Sequence, residues 1–450
     1  MEELYGRELL LSELPKKLRN SERLNQLEIQ TEVSYMEKNK KKICRRCRND
    51  FIAVRKGECL CNEACGYCRN CLKMGKVRLC STFYSLREEN AFQEKKEKLL
   101  AWAGTLSDQQ KEASEMIIQT IQQNETRLLW AVTGAGKTEM LFEGIEYALK
   151  HQKRVCLASP RVDVCLELAP RIQAAFPTTD MILLYGGMEE EYHYTQLVVA
   201  TTHQLYRFKE AFDVLIIDEI DAFPFHSDDA LKFAASKARK ENSALIYLSA
   251  TPSPSMQKDI NQNKIESTIL PARYHGHPLP EPRLMWCSKW KSRILKKLLK
   301  TSFGKKVKEY IESGQKFLIF IPNIEWMLKL EKVIKKTFPD ARFEAVSAED
   351  SNRKEKVVLM REDKVQFLIT STILERGVTF KNVNVLVIGA EDRVFTEAAL
   401  VQIAGRCGRS FKYPTGEVIY YHDGKSLAMK KAVKQIKRMN SLARQKGLVQ

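Results

Sequence analysis

The sequence predicts an α/β chain, with two tandem parallel-sheet lobes preceded by a small metal-binding module. Three observations carry this. Short apolar runs alternate with helical stretches from about residue 104 onward. After a segment punctuated by Pro271, Pro278, Pro280 and Pro282, a second such series begins. Ahead of both, eight of the twelve cysteines fall between Cys44 and Cys80. Alternating apolar strands and helices are the pattern of a parallel sheet covered on both faces. Clustered cysteines in a chain without a secretory signal favour metal over disulfides.

In order, residues 1–40 form a polar segment with weak helical periodicity from Leu9 to Leu27, 41–82 the cysteine module, and 83–103 a charged connecting helix. The first lobe is 104–277 and the second 278–450. First-lobe strands are read at Arg127–Val132, Val155–Ala158, Met181–Leu184, Leu197–Ala200, Val214–Ile217 and Leu245–Leu248. The second lobe gives strands at Phe317–Phe320, Phe367–Thr370, Val385–Ile388 and Val418–Tyr421, then an amphipathic helix over Leu427–Arg444 with Met429, Val433, Ile436 and Met439 on one face.

Lys plus Arg number 74 against 56 Asp plus Glu, a net charge of +18 that suits a polyanionic partner such as nucleic acid. No apolar run approaches the ~20 residues of a membrane span, and Met1-Glu2-Glu3-Leu4 does not open a secretory signal. The expectation is a cytoplasmic protein without direct membrane insertion.

The motifs give the chemistry. Thr133-Gly134-Ala135-Gly136-Lys137-Thr138 lies between a strand and a helix. Its glycines let backbone N–H groups approach phosphates, Lys137 neutralises the β and γ phosphates, and Thr138 holds Mg2+. Ala131 stands where the usual pattern has its first glycine. Asp218-Glu219-Ile220-Asp221 follows an apolar strand, at the mouth of an open α/β sheet. Asp218 is read as the magnesium carboxylate and Glu219 as the group that polarises the attacking water. Gln402, Arg406 and Arg409 come late in Gln402-Ile403-Ala404-Gly405-Arg406-Cys407-Gly408-Arg409. An arginine there can stabilise charge on the γ-phosphoryl group, and Gln402 can add a hydrogen bond. Upstream, Gln110 can read the adenine edge of ATP. Trp102 is read as a packing residue, with stacking on the base as the alternative.

Cys44-x2-Cys47 and Cys68-x2-Cys71 are two knuckles able to supply four thiolates to one Zn2+. Cys59, Cys61, Cys65 and Cys80 make a second set arithmetically possible. The Cys59-x-Cys61 spacing is awkward, however, and no site is assigned to them. Arg45, Arg46, Arg48, Arg69, Lys73 and Lys76 surround the knuckles, so the module can either touch phosphate or serve as a metal staple. Cys156, Cys165 and Cys287 are read as buried packing residues, and His275 and His277 as no metal site.

Over about residues 104–425 the chain resembles superfamily 2 helicases, which implies RecA-like lobes. Pro160-Arg161 and Thr201-Thr202-His203-Gln204-Leu205 match first-lobe motifs that hold the nucleic-acid backbone. Ser249-Ala250-Thr251 matches the motif coupling the ATP and strand sites. Thr370 to Thr379, including Arg376 and Gly377, matches the second-lobe motif facing both ligands. Arg161, Thr201, Thr202, Arg376 and Gly377 are thereby implied as strand-binding residues. Asp-Glu-Ile-Asp, and Thr379 where DEAD-box relatives carry aspartate, depart from the RNA-specific DEAD-box pattern.

From Cys44 onward the chain is similar to the ComFA family of late competence proteins of Gram-positive bacteria. That resemblance implies an ATP- and Mg2+-using translocase on single-stranded DNA that drives import of transforming DNA. It also implies ComFC, DprA and the membrane DNA-uptake channel as partners, and a place at the inner membrane face reached through them. Two alternatives are a replication-restart helicase of the PriA type, whose zinc cluster lies inside the second lobe, and a zinc-dependent DNA-binding adaptor with a vestigial ATPase.

Overall fold

A computed structural model describes residues 2–19, 28–53, 59, 61, 65–188 and 190–449. Contacts divide the chain into two units, residues 1–129 with 138–268, and residues 130–137 with 269–450.

In the N-terminal part, β1 (Arg7–Leu10), β2 (Gln30–Val33), β3 (Tyr35–Lys38), β4 (Lys41–Cys44), β5 (Phe51–Ala53), β6 (Gly66–Cys68) and β7 (Thr82–Leu86) build three small sheets. The first has the order β1-β7-β2, and β3-β4 and β5-β6 are antiparallel pairs. Two expectations are corrected here. The apolar periodicity starting at Leu9 belongs to β1 and two 3-10 turns, Leu11–Glu13 and Lys16–Leu18. Leu9, Leu14 and Leu18 gather with Leu4 in one buried cluster, so the spacing is real but no helix runs through it; residues 20–27 lie outside the described residues. The connecting helix over 83–103 is absent. Phe83 and Ser85 alternate inward along β7, and the chain then continues extended to Leu106. Its backbone groups find partners on the first lobe instead. Leu99 and Leu100 N–H donate to Glu146 Oε1 at 2.9 and 3.2 Å, Ala101 N–H donates to Ala175 O, and Phe92 O accepts from Gln152 Nε2. A helix would have to forgo these bonds.

The first lobe follows as α1 (Asp108–Gln123), β8 (Thr126–Ala131), α2 (Phe142–Lys150), β9 (Val155–Ser159), α3 (Val162–Ala175), β10 (Met181–Leu184), β11 (Leu197–Thr201), β12 (Phe212–Ile217), α4 (Asp229–Ala238), β13 (Arg239–Ser249), α5 (Pro254–Asn261) and β14 (Glu266–Leu270). The sheet order is β10-β11-β9-β12-β13-β8-β14. Strands β9, β11 and β12 are buried at every position, which is why they read as continuous apolar runs.

The second lobe comprises β15 (Arg283–Trp286), α6 (Trp290–Lys297), α7 (Ser302–Glu312), β16 (Phe317–Phe320), α8 (Ile324–Thr337), β17 (Phe343–Val346), α9 (Arg353–Arg361), β18 (Phe367–Thr370), β19 (Asn384–Ile388), α10 (Glu397–Ala404), β20 (Val418–His422) and α11 (Leu427–Gln445). Its sheet, β15-β20-β19-β16-β18-β17, is parallel throughout. Helix α11 buries Met429, Ile436 and Met439 as its periodicity predicts.

The N-terminal part is bolted to the first lobe by buried ion pairs. Glu13 accepts from both Arg46 and Arg207, and Arg207 Nη2 also donates to Met74 O at 3.1 Å. Arg154, wholly buried, donates to Glu88, to Tyr5 O at 3.0 Å and to Tyr192 Oη at 2.7 Å. Lys237 pairs with Glu8. Ions this deeply buried persist only when paired and hydrogen-bonded.

Candidate nucleotide, strand and metal sites

The first lobe gathers its polar motifs at the C-terminal ends of strands. Arg161 follows β9 as the residue before α3, Thr201 ends β11, and Asp218 follows β12. The order β11-β9-β12 makes these neighbours across parallel pairs, in the crevice where open α/β sheets bind ligands. Thr201 and Thr202 are buried, and Thr202 Oγ1 is a buried hydroxyl without a hydrogen-bond partner among the described residues.

The acidic turn is built tightly. Asp218 N–H donates to Ala158 O at 2.8 Å, and Asp218 Oδ1 accepts from Glu219 N–H at 2.8 Å. Glu219 has φ +56°, a left-handed conformation that a non-glycine residue adopts at a cost of about 1–2 kcal/mol. Such strain collects where a side chain must be aimed. Sequence reasoning missed the part played by Asp221. Its two oxygens accept from Ser249 Oγ and Thr251 Oγ1, both at 2.7 Å. The acidic motif is thereby tied to the Ser-Ala-Thr motif at the end of β13, the strand next to β12.

Gln110 is buried in α1 and closes a capping box, its Oε1 accepting from Ser107 N–H at 2.8 Å. Trp102 packs edge-on against Phe142, with ring centroids 5.6 Å apart.

Gly134 and Gly136 of the phosphate loop take φ +83° and +76°, conformations that glycine alone adopts without strain. Thr133 Oγ1 is buried without a hydrogen-bond partner among the described residues. Lys137 is half-buried, and Thr138 is buried at the start of a 3-10 turn, Glu139–Leu141, that runs into α2. Backbone freed by glycines, with an orphaned hydroxyl beside it, fits a phosphate cradle.

In the second unit, Gln402 is buried on α10. Arg406 is buried too, its guanidinium donating to Glu375 O at 3.1 Å and to Val378 O. Arg409 is half-buried and donates to Gly405 O at 2.9 Å. Arg376 is buried with Nε 3.7 Å from Glu375 Oε1, and Gly377 has φ +68°. Arg273 is a further residue that sequence reasoning missed. Burial and the neighbouring Arg409 charge lower its pKa to about 10. It donates to Gly408 O, His275 Nε2 lies 3.1 Å from the same oxygen, and Tyr274 N–H donates to Gly134 O. The Ala272–His277 segment thus braces both the arginine-bearing loop and the phosphate loop. No motif marks it.

The four knuckle cysteines are buried and free. Their Sγ atoms lie within 4.8 Å of one another, with Cys44–Cys71 at 3.8 Å and Cys47–Cys68 at 3.3 Å. Turn bonds hold them: Arg48 N–H to Cys44 O, Cys44 N–H to Asn49 O, and Cys68 N–H to Val77 O. The set fits a closed tetrahedral Zn2+ site. The basic halo around it is partly corrected. Arg46 is buried against Glu13 and Phe83, Arg48 stacks on Phe233, and Arg45 lies 3.5 Å from Glu32. Arg46 is therefore a structural cation, not a phosphate ligand. The side chain of Lys73 lies outside the described residues. The structure also brings Cys59, Cys61, Cys65 and Cys80 into a second cluster, which sequence spacing had argued against. Cys156, Cys165 and Cys287 are buried, as expected.

Two RecA-like parallel-sheet lobes carrying these motifs define a superfamily 2 helicase-like protein. Three family models match: the ComFA N-terminal domain at residues 1–85, the type III restriction enzyme res subunit at 104–254, and the helicase conserved C-terminal domain at 290–411. The chain is 47% identical over 377 residues to competence protein ComFA of Bacillus subtilis, covering 84% of this chain and 81% of that one. It is 40% identical over 413 residues to ComFA of Streptococcus pneumoniae, covering 91% and 93%. The chain belongs to the ComFA family. Replication restart protein PriA of B. subtilis is more distant, at 22% identity over 48% of this chain and 29% of that one. Among solved structures, S. cerevisiae Dbp5 bound to RNA and ADP BeF3 aligns with a TM-score of 0.55 at 13% identity, covering 74% of this chain and 91% of that one. RecG bound to a three-way DNA junction aligns at 0.53 and 16% identity, covering 77% and 47%. At these identities the likeness speaks to the fold alone.

Proposed function

We propose that this protein is an ATP-driven translocase on single-stranded DNA that helps draw transforming DNA into the cell. The observation that carries the reading is the Asp221 bridge to Ser249 and Thr251. It links the carboxylate turn that would serve hydrolysis to the motif that family resemblance assigns to coupling.

In this reading Lys137 and the loop amides of Gly134, Ala135 and Gly136 bind the ATP phosphates, Thr133 lines the cradle and Gln110 holds the base. Thr138 and Asp218 would hold Mg2+, which supplies charge neutralisation at the phosphates when bound. Glu219 orients the attacking water and takes its proton. Arg409 is the better-placed finger, because Arg406 is committed to organising the Glu375–Val378 loop. Gln402 supports the γ-phosphate. Arg161, Thr201 and Thr202 grip the strand on the first lobe, with Arg376 and Gly377 on the second. Cys44, Cys47, Cys68 and Cys71 would hold Zn2+, which supplies the cross-link that keeps the knuckles folded. ComFC, DprA and the uptake channel are proposed partners on the family resemblance. Among the described residues no helix is long and apolar enough to cross a membrane, so a place at the inner membrane face would come through those partners.

The test pairs ATP turnover with strand displacement on single-stranded and tailed DNA. The wild type should hydrolyse ATP faster with single-stranded DNA, and Lys137→Ala should lose turnover while keeping its thermal unfolding profile. Undiminished DNA-stimulated turnover in Lys137→Ala would reject the assignment.

A further inference from the structure

We propose that Cys59, Cys61, Cys65 and Cys80 form a second structural zinc site, so that the folded chain holds two Zn2+ ions. All four Sγ atoms lie within 4.8 Å of one another. Cys59 Sγ is 3.6 Å and Cys65 Sγ 3.8 Å from Cys80 Sγ. Thiolates bound at about 2.3 Å around a tetrahedral ion stand about 3.8 Å apart, so these separations match the coordinated geometry. They resemble the 3.3 and 3.8 Å pairs of the first cluster. A disulfide would need sulfurs at about 2.05 Å, well short of the 3.6 and 3.8 Å separations from Cys80 Sγ.

The backbone fixes two of the four ligands before any metal binds. Cys65 directly precedes β6, and Cys80 follows the segment that pairs with it. Cys68 N–H donates to Val77 O and Leu79 N–H donates to Gly66 O, both at 2.9 Å, while Tyr67 bridges Arg78. Gly66 lets β6 lie close against β5, because a Cβ there would sit 2.8 Å from Ile52 O. Cys59 and Cys61 come from the connection between β5 and β6. One ion would hold the two knuckles, and the other would pin the hairpin connection to Cys80. Four thiolates, with no carboxylate or histidine in the set, suit Zn2+ over harder cations and leave no open position for catalysis. The need is physical: a module of this size has little core of its own and depends on staples.

The experiment uses the full-length chain purified with reductant. Zinc released on denaturation should be two equivalents per chain, and the Cys59→Ser/Cys80→Ser double variant should release one. Independently, Co2+ titration of metal-free wild type should raise thiolate charge-transfer absorbance until two equivalents are bound. A break at one equivalent in the wild type would overturn the proposal, whether or not the variant folds. So would one zinc with two of the twelve thiols unreactive until reduced, which would mark a disulfide.

Discussion

Glu13→Gln should loosen the zinc module from the first lobe without removing its metal. Glu13 is 9% exposed at the side chain and Arg46, which sits between Cys44 and Cys47, is fully buried. The carboxylate also accepts from Arg207 Nε at 3.1 Å and Leu10 N–H at 2.9 Å. Breaking a buried pair costs about 3–5 kcal/mol, because one charge stays buried without compensation. The glutamine oxygen still accepts from Arg46, which places this substitution near the lower figure. A loss of about 3 kcal/mol is roughly a hundredfold in an opening equilibrium. Native-state hydrogen exchange at Cys44 and Arg48, whose N–H groups are bonded within the knuckle, reads it directly. Their protection should fall by about two powers of ten, with zinc content unchanged. Protection within a factor of a few of wild type would refute the view that this pair anchors the module.

The same pair sets an acid limit. Burial pushes the Glu13 carboxyl up, but the Arg46 charge and the hydrogen bonds from Arg46 and Leu10 outweigh it and hold the carboxyl below its ordinary value. A depressed folded pKa contributes stability that is complete above the unfolded value of about 4.3 and is lost as pH falls through the folded value. The stability difference between wild type and Glu13→Gln should therefore be constant above about pH 5 and close below about pH 4. A difference that persists unchanged into strong acid would show that charge is not what the glutamine removes.

Three further substitutions separate roles at the proposed ATP site. Arg406→Ala strands the carbonyls of Glu375 and Val378 and should cost stability, at about 1–3 kcal/mol per carbonyl. Arg409→Ala gives up bonds to Gly405 O and Thr379 Oγ1 at a half-buried position, so it should cost less stability than Arg406→Ala and slow ATP turnover by ~10³-fold; the opposite assignment of losses would exchange the two roles. Asp221→Ala removes the acceptor of both Ser249 and Thr251 and should keep ATP turnover within about tenfold, at a stability cost of about 1.5–3 kcal/mol per charged hydrogen bond. ATP consumed per strand displaced should rise, and an unchanged ratio would remove the bridge from the coupling path.

What the sequence made legible follows from burial. Strands β9, β11, β12, β16, β18 and β19 are interior to their sheets and buried along their length, so a simple apolar run reveals them. Within the two lobes, the strands among the described residues that pattern reading missed, β14, β15 and β17, all lie at sheet edges. Strands β14 and β15 are largely half-exposed, and β17 alternates in Glu344; an edge strand need not be apolar on both faces. The motifs were legible for another reason: phosphate and carboxylate chemistry demands fixed residue types at short spacing.

The N-terminal part obeys neither rule. Its strands are three to five residues long, too short for periodicity to speak, and its stability comes from ion pairs between residues far apart in the chain. Glu13 with Arg207, Glu8 with Lys237 and Glu88 with Arg154 each join a terminal residue to a first-lobe residue. In sequence those residues look like solvated charge, and only burial distinguishes them. The same holds for Asp221 and Arg273, whose partners are a hydroxyl pair and a carbonyl brought close by the sheet. It holds again for Cys65 and Cys80, which the pairing of β6 with residues 77–79 brings together. Local chemistry was readable in the chain, and long-range pairing was not. The N-terminal part that carries Glu8, Glu13 and Glu88 is therefore better regarded as a wall of the first lobe than as a tethered accessory. Three buried ion pairs, each costly to break, make it move with that lobe.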